Sequence, residues 1–286
     1  MRAAILDGIV LGLQYGLLGV GLTLIYGLAG VLNLAHGQVA VLGAIVVSLL
    51  MDDAGIPVVP AAAIGIVAAA VFMVILDLTL MRAVYRQDGE RRILLGLLLM
   101  LGVSFVVEGF ITWQYPVQQL GIRISGDAVP IVGVRMPVGA LVASGIAIAV
   151  GLVLVAFFRY TMLGRGVRSV IQDEVGARLC GVNPSAVRTF IFGVSGALAC
   201  LVAVTRSMTG PIGFGNAISF TTLALIVAVV GGLGSVSGAF LAGVLLGIVD
   251  RLSSTYIGTY VTTIVLLLCA ALTIVLRPSG LLGRPE

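Results

Sequence analysis

Nine apolar blocks fill most of this 286-residue sequence, at 5–27, 35–51, 57–81, 93–113, 136–158, 189–206, 217–232, 237–251 and 259–276. A helix needs about 20 apolar residues to cross a bilayer. Most blocks meet that length. Those at 35–51, 217–232 and 237–251 are short, so the pattern predicts eight or nine spans. In lipid, only helices and closed barrels satisfy every backbone polar group. A barrel needs strands of about ten residues with alternating polarity, and no such alternation occurs. The expected fold is all-α, a polytopic helical membrane protein with one transmembrane domain over residues 1–286. Composition agrees, with 10% charged residues against roughly 25% in a soluble domain. The connectors leave no room for a soluble catalytic domain. The first apolar block is too long for the h-region of a signal peptide and the next follows at once, so it is expected to be a retained span.

All sixteen basic residues are arginines. The net charge of +4 does not imply nucleic-acid binding, because the arginines sit in connectors. Connector 82–92 carries Arg82, Arg86, Arg91 and Arg92; connector 159–188 carries Arg159, Arg165, Arg168, Arg178 and Arg188; the tail carries Arg277 and Arg284. With nine spans these eleven fall on one side, against Arg2, Arg123, Arg135, Arg206 and Arg251 on the other. The positive-inside rule then places the first group and the C-terminus in the cytoplasm and the N-terminus outside. Cys180, Cys200 and Cys269 show no pairing pattern or metal-ligand spacing and read as free thiols.

Two glycine-rich runs interrupt the blocks. The first is Gly27-Leu28-Ala29-Gly30-Val31-Leu32-Asn33-Leu34-Ala35-His36-Gly37-Gln38, which holds the only histidine. The second is Gly231-Gly232-Leu233-Gly234-Ser235-Val236-Ser237-Gly238. Polar backbone at membrane depth is tolerated where protein or a water-filled cavity covers it. Paired interruptions in two halves of a chain are the pattern of repeat-built transporters, although glycine also serves close helix packing. Candidates for a solute path are therefore Asn33, His36, Gly37, Gln38, Gly232, Gly234 and Ser235. Glu108, a carboxylate inside the fourth block, joins them, because such a group is paired or water-lined. Two roles fit His36: a packed imidazole bonded to a carbonyl freed by the break, or a residue lining or gating the path. A proton relay is a third, but no carboxylate lies near it in sequence. A bulky residue at Gly37 is expected to block close helix packing or to narrow the path, so that Gly37→Leu abolishes uptake while the complex still assembles.

The connector at 159–188 reads as one short amphipathic helix. Val167, Val170, Ile171, Val175 and Leu179 recur at helical spacing, Gly181 suits a stop, and Asn183-Pro184 follows. It would lie under the membrane as an interfacial helix, or dock into a partner and transmit its motion.

Here the sequence resembles a known family. Gly164-Arg165-x-x-Arg168, then Asp173, Ala177, Gly181 and Asn183, is similar to the coupling segment of the smaller membrane permease subunit of branched-chain amino acid ABC importers. Three further matches keep the family's order: Tyr26-Gly27 with Asn33-x-Ala35-His36-Gly37; Gly231-Gly232-Leu233-Gly234-Ser235-x-x-Gly238-Ala239; and Pro278-x-Gly280-Leu281-Leu282-Gly283-Arg284-Pro285-Glu286. Urea and short-chain amide permeases of the wider family carry nearly the same motifs. One departure is Ser237, where amino acid permeases often have proline; it leaves the local bend open.

The resemblance implies a division of labour in a bacterial inner membrane. A second permease subunit completes the path, two ATP-binding cassette ATPases drive it, and an extracytoplasmic solute-binding protein delivers the solute. The chain itself is expected to bind no cofactor; ATP with Mg belongs to the ATPases, and no G-x-x-x-x-G-K-[ST] occurs in a sequence without lysine. Gly164, Arg165, Arg168, Asp173, Ala177, Gly181 and Asn183 would form the ATPase contact, and the broken helices part of an alternating-access path for branched-chain or other small amino acids. The rivals are a urea or amide permease, an autonomous channel or secondary transporter, and an intramembrane enzyme. The second needs an ion-coupling site, yet the spans hold few carboxylates. The third needs a catalytic pair, and no motif supplies one.

Overall fold

The computed structural model describes residues 1–282 apart from 125 and 132. The end of the last motif, 283–286, lies outside the described residues, as does Arg284 in the charge bias. The helices are α1 (Arg2–Ala29), α2 (His36–Asp52), α3 (Val58–Leu76), α4 (Arg82–Val84), α5 (Gly89–Gln114), α6 (Val138–Tyr160), α7 (Met162–Gln172), α8 (Glu174–Leu179), α9 (Pro184–Ser207), α10 (Ala217–Gly231), α11 (Val236–Tyr256) and α12 (Thr259–Leu276). A π-helical turn, Asp77–Met81, joins α3 to α4. Each of the nine apolar blocks falls on a helix. Among the described residues, eight helical stretches are long and apolar enough to cross a membrane, and α2, with 17 residues, is the shorter ninth.

The core is built around α1, which is buried on all sides. It runs antiparallel to α11 on a seam of small residues. A Cβ on Gly8 would lie 2.7 Å from the Ile248 Cα, one on Gly12 2.7 Å from the Gly243 carbonyl oxygen, and one on Gly16 3.0 Å from the Phe240 carbonyl oxygen. Lipid tails give helices no hydrophobic reason to associate, so close backbone approach through such residues supplies the contact energy. Around this pair stand α2, α9 and α10. The faces of α3, α5, α6 and α12 that turn away from the core are apolar and exposed, as at Leu98, Phe105, Leu152 and Leu268.

The bundle has two distinct ends. At one, connectors 82–92 and 159–188 meet the C-terminus of α1, as the Arg92 Nε–H bond to the Ala29 carbonyl (3.1 Å) illustrates. This is the arginine-rich end. At the opposite end, β1 (Gln119–Leu120) pairs antiparallel with β4 (Ile212–Gly213), and β2 (Val129–Ile131) with β3 (Val134–Met136). There the Gln118 amide donates to the Asp52 carboxylate (3.2 Å), and the Ser48 hydroxyl donates to the same group (2.9 Å), tying the loop to the end of α2.

One sequence expectation is corrected. The connector at 159–188 holds two helices, α7 and α8, instead of one. Asp173 breaks it: its backbone is extended (φ −156°), and its carboxylate accepts from the Val175 N–H (2.9 Å), starting a new helix. Local side-chain bonding of this kind competes with helix continuation. The apolar stripe therefore divides. Val167 and Val170 are buried, while Val175 and Leu179 are exposed and Ala177 turns inward instead.

Candidate functional site

The two glycine-rich interruptions, about 200 residues apart in sequence, meet at the arginine-rich end. α1 stops where Gly30 takes a left-handed conformation (φ +65°). α10 stops at Gly232 (φ +100°), and Gly234 (φ +89°) completes the turn into α11. Only glycine enters these regions without strain. Ser235 then caps α11, its hydroxyl accepting from the Gly238 N–H (3.1 Å). Ser237 sits in the first turn, where an N–H has no intrahelical acceptor and proline is equally at home. The departure from the family pattern leaves the helix start unchanged.

Gly27 and Gly234 are in direct contact, and Ile171 of α7 lies against Gly27. A Cβ on Gly27 would lie 3.2 Å from the Gly234 Cα and 3.4 Å from Ile171 Cδ1 on α7. A cavity of about 510 Å³ lies on one side of α7, lined by Leu24, Arg168, Ile171, Gly234 and Ser235 among others. A second, of about 470 Å³, is lined by Gly27, Arg92, Ile171, Glu174 and Gly234 among others. Ile171 borders both.

The C-terminal motif closes the same place. Gly280 (φ +78°) lies against Gly232, the Leu281 N–H bonds the Val230 carbonyl (2.9 Å), and the Leu282 N–H bonds the Gly231 carbonyl (3.3 Å). These carbonyls end α10 and have no intrahelical partner. The tail thus supplies the cap that the helix lacks.

Asn33, His36, Gly37 and Gln38 lie deeper. The His36 ring packs on Gly21, about two turns back from the end of α1, so residues 30–35 re-enter the bundle before α2 begins. All four are buried. The Asn33 carbonyl oxygen of the side chain accepts from the Ala35 N–H (3.0 Å), turning the chain into α2. The Gly37 N–H donates to Thr221 Oγ1 (3.0 Å), and the Thr221 hydroxyl lies 3.2 Å from Gln38 Oε1. His36 Nδ1 is 3.4 Å from the Ser195 hydroxyl, and its Nε2 has no hydrogen-bond partner among the described residues. Ser195 and Thr221 escaped the sequence reading. Both are hydroxyls within apolar blocks, and no local pattern points to their partners.

Glu108 stands apart from both groups, half-buried on α5 beside exposed Phe105 and Val106. It makes no ion pair among the described residues.

The coupling motif separates into two kinds of residue. Gly164 allows α7 to turn against α6: a Cβ there would lie 2.5 Å from the Phe157 carbonyl oxygen. Asp173 caps α8. Ala177 is buried, Gly181 (φ +83°) makes the turn, and Asn183 caps α9 by accepting from the Ser185 and Ala186 N–H groups (3.0 and 3.3 Å). Arg165 and Arg168 are exposed. The fold-making residues therefore present these two charges and exposed Met162, Leu163, Val175 and Leu179 on one continuous segment.

The family model described as "Branched-chain amino acid transport system / permease component" matches residues 4–276. LivH of Escherichia coli K12, a high-affinity branched-chain amino acid transport system permease protein, is 29% identical over 98% of this chain and 94% of its own length. BraD of Pseudomonas aeruginosa, described in the same terms, is 28% identical over 99% and 95%. Among solved structures, PsaBC from Streptococcus pneumoniae in complex with Fab matches with a TM-score of 0.52 over 96% of this chain and 91% of that one; at 12% identity the likeness is one of fold. Family match, end-to-end relatives and a bundle of membrane-length helices agree, and the chain belongs to the branched-chain amino acid transport permease family of ABC transporters, a multi-pass membrane protein and not itself an enzyme.

Proposed function

We propose that this chain is the smaller permease subunit of an ATP-driven importer for branched-chain or other small amino acids, working by alternating access in a bacterial inner membrane. A second permease subunit, two ATPases and an extracytoplasmic binding protein complete the machine. The arginine-rich end faces the cytoplasm, with the C-terminus inside and the N-terminus outside. The observation that carries the reading is that Ile171 lies against Gly27, which itself touches Gly234, and borders both cavities that reach Gly234. Closure of the ATPase dimer moves the coupling segment, and Ile171 passes that displacement to the Gly27–Gly234 contact, which seals the cytoplasmic end in this conformation. The few charged groups in the spans suit a path whose affinity is supplied by the binding protein.

The test is purification of the tagged chain with its genomic neighbours expressed together, followed by reconstitution in vesicles. Copurifying ATPases and ATP-dependent leucine uptake support the proposal. A chain that moves solute alone, without ATPase subunits, overturns it in favour of a channel or secondary transporter. Uptake of urea or an amide in place of leucine shifts the substrate within the family.

A further inference from the structure

At the arginine-rich end, one aromatic ring gathers charges from three elements. Tyr85 follows α4. The Arg188 guanidinium, from the second turn of α9, lies 4.5 Å from the ring centroid, and that of Arg92, from the first turn of α5, lies 5.4 Å from it. The Tyr85 hydroxyl donates to Asp77 (2.7 Å), and the Thr189 hydroxyl donates to the other oxygen of the same carboxylate (2.5 Å). Asp77 is buried and stands in the π-helical turn. Such turns are uncommon and cluster at functional sites.

The outer contacts of this cluster lead in two directions. Arg188 is 6% exposed and forms an ion pair with Glu174 at the start of α8, inside the coupling segment. A buried guanidinium needs such compensation, and removing one partner leaves an uncompensated charge. Arg92 donates to the Ala29 carbonyl, at the end of α1 and two residues beyond Gly27. A cation is well placed there, because the last carbonyls of a helix are unpartnered and negatively polarised.

We propose that Tyr85 is a positioning residue for transport, which links displacement of the coupling segment, through Glu174 and Arg188, to the end of α1, through Arg92. This route is separate from the direct touch of Ile171. It rests on the reading that the coupling segment meets an ATPase. Through it, Glu174 moves with the segment and Arg188 follows its ion-pair partner. The ring carries the change to Arg92 because both guanidinium groups share it. Asp77 and Thr189 fix the ring to α3 and α9, so the load passes to α1 instead of being lost in side-chain rotation.

The experiment uses the complete reconstituted transporter and measures assembly, ATP hydrolysis and solute moved per ATP. Tyr85→Leu removes the shared ring, and Glu174→Gln removes the charge that engages Arg188 while keeping its shape. Each is expected to lower solute moved per ATP about tenfold with assembly and basal hydrolysis retained. Tyr85→Phe keeps the ring and loses only the Asp77 bond, and is expected to recover most of the loss seen in Tyr85→Leu. Unchanged coupling in Glu174→Gln overturns the proposal, as does a loss in Tyr85→Leu that only tracks the amount of folded complex. Failure of the coupling reading itself has a different signature: Arg168→Glu, outside this cluster, then leaves assembly and stimulated hydrolysis untouched.

Discussion

Gly27 and Gly234 face each other with no side chain between them, so that a Cβ on Gly27 would lie 3.2 Å from the Cα of Gly234. α1 and α11 converge at this contact, and Ile171 lies over it. A closure made of two glycines is thin, and side-chain bulk at either position props it open.

Substitution at Gly27 tests that closure. Gly27→Ala asks its neighbours to yield by a few tenths of an ångström and is expected to be tolerated. Gly27→Leu is expected to lower coupled uptake about tenfold, on the scale of one inter-site coupling term, and to raise hydrolysis in the absence of loaded binding protein. Uptake and basal hydrolysis in vesicles provide the check. Wild-type values for Gly27→Leu would remove the contact from the gating cycle.

The start of α2 separates stability from transport. A Cβ on Gly37 would collide with the Ala217 carbonyl oxygen, at 2.0 Å, which is backbone and does not move aside. Gly37→Leu is therefore expected to prevent folding, where the sequence alone predicts an assembled but inactive complex, and even Gly37→Ala to lower the yield of folded protein. His36→Ala opens a cavity instead, and a loss on the order of 2–4 kcal/mol is expected. If His36 also lines the path, uptake per folded complex falls as well. Thermal melting of the purified complex, read beside uptake, distinguishes the two roles.

Arg168→Glu probes the exposed part of the coupling segment. Arg168 is exposed and makes one long bond, to the Arg159 carbonyl (3.4 Å), at the edge of the cavity beside α7. A wrong-sign charge at an interface costs several kcal/mol, roughly, so loss of ATPase copurification or of stimulated hydrolysis is expected. Membrane insertion, measured by fractionation, should be unchanged.

Glu174 sets a pH dependence. Partial burial raises its pKa, but the Arg188 hydrogen bond and the charges of Arg188, Arg92 and Arg178 outweigh that and hold it below the usual glutamate value of 4.5. A carboxylate with a depressed folded-state pKa stabilises above its unfolded value and loses the contribution as pH falls through the folded one. Glu174→Gln should therefore melt lower than wild type by a constant margin between about pH 5 and 8, with the margin closing in more acid solution. A margin that instead grew as the pH fell would mean that the ion pair with Arg188 does not stabilise the protein. Tyr85, in contrast, titrates far above neutral, because burial and the Asp77 carboxylate both oppose its ionisation, so it adds nothing in this window.

The nine blocks, the two breaks and a helical connector at 159–188 were all legible in the sequence, because each is a local property. Block length sets a span, glycine at positive φ ends a helix at Gly30 and Gly232, and Asn183-Pro184 starts α9. The split of the coupling segment was not read, although its cause is local too. The Asp173 carboxylate competes for the Val175 N–H, and the apolar spacing masked that competition.

Tertiary structure alone decided which of these features touch. Nothing near Gly27 in sequence names Gly234, because their distance is set by how closely α1 and α11 approach along Gly8, Gly12 and Gly16. Nothing near His36 names Ser195, and nothing in the C-terminal motif shows that its amides cap α10. The charges around Tyr85 come from positions 77 to 188, and a sequence pattern weighs each in its own connector. Periodicity and capping are fixed within a few residues of chain. Contacts between helices are fixed by the fit of whole surfaces, and only the folded bundle holds that information.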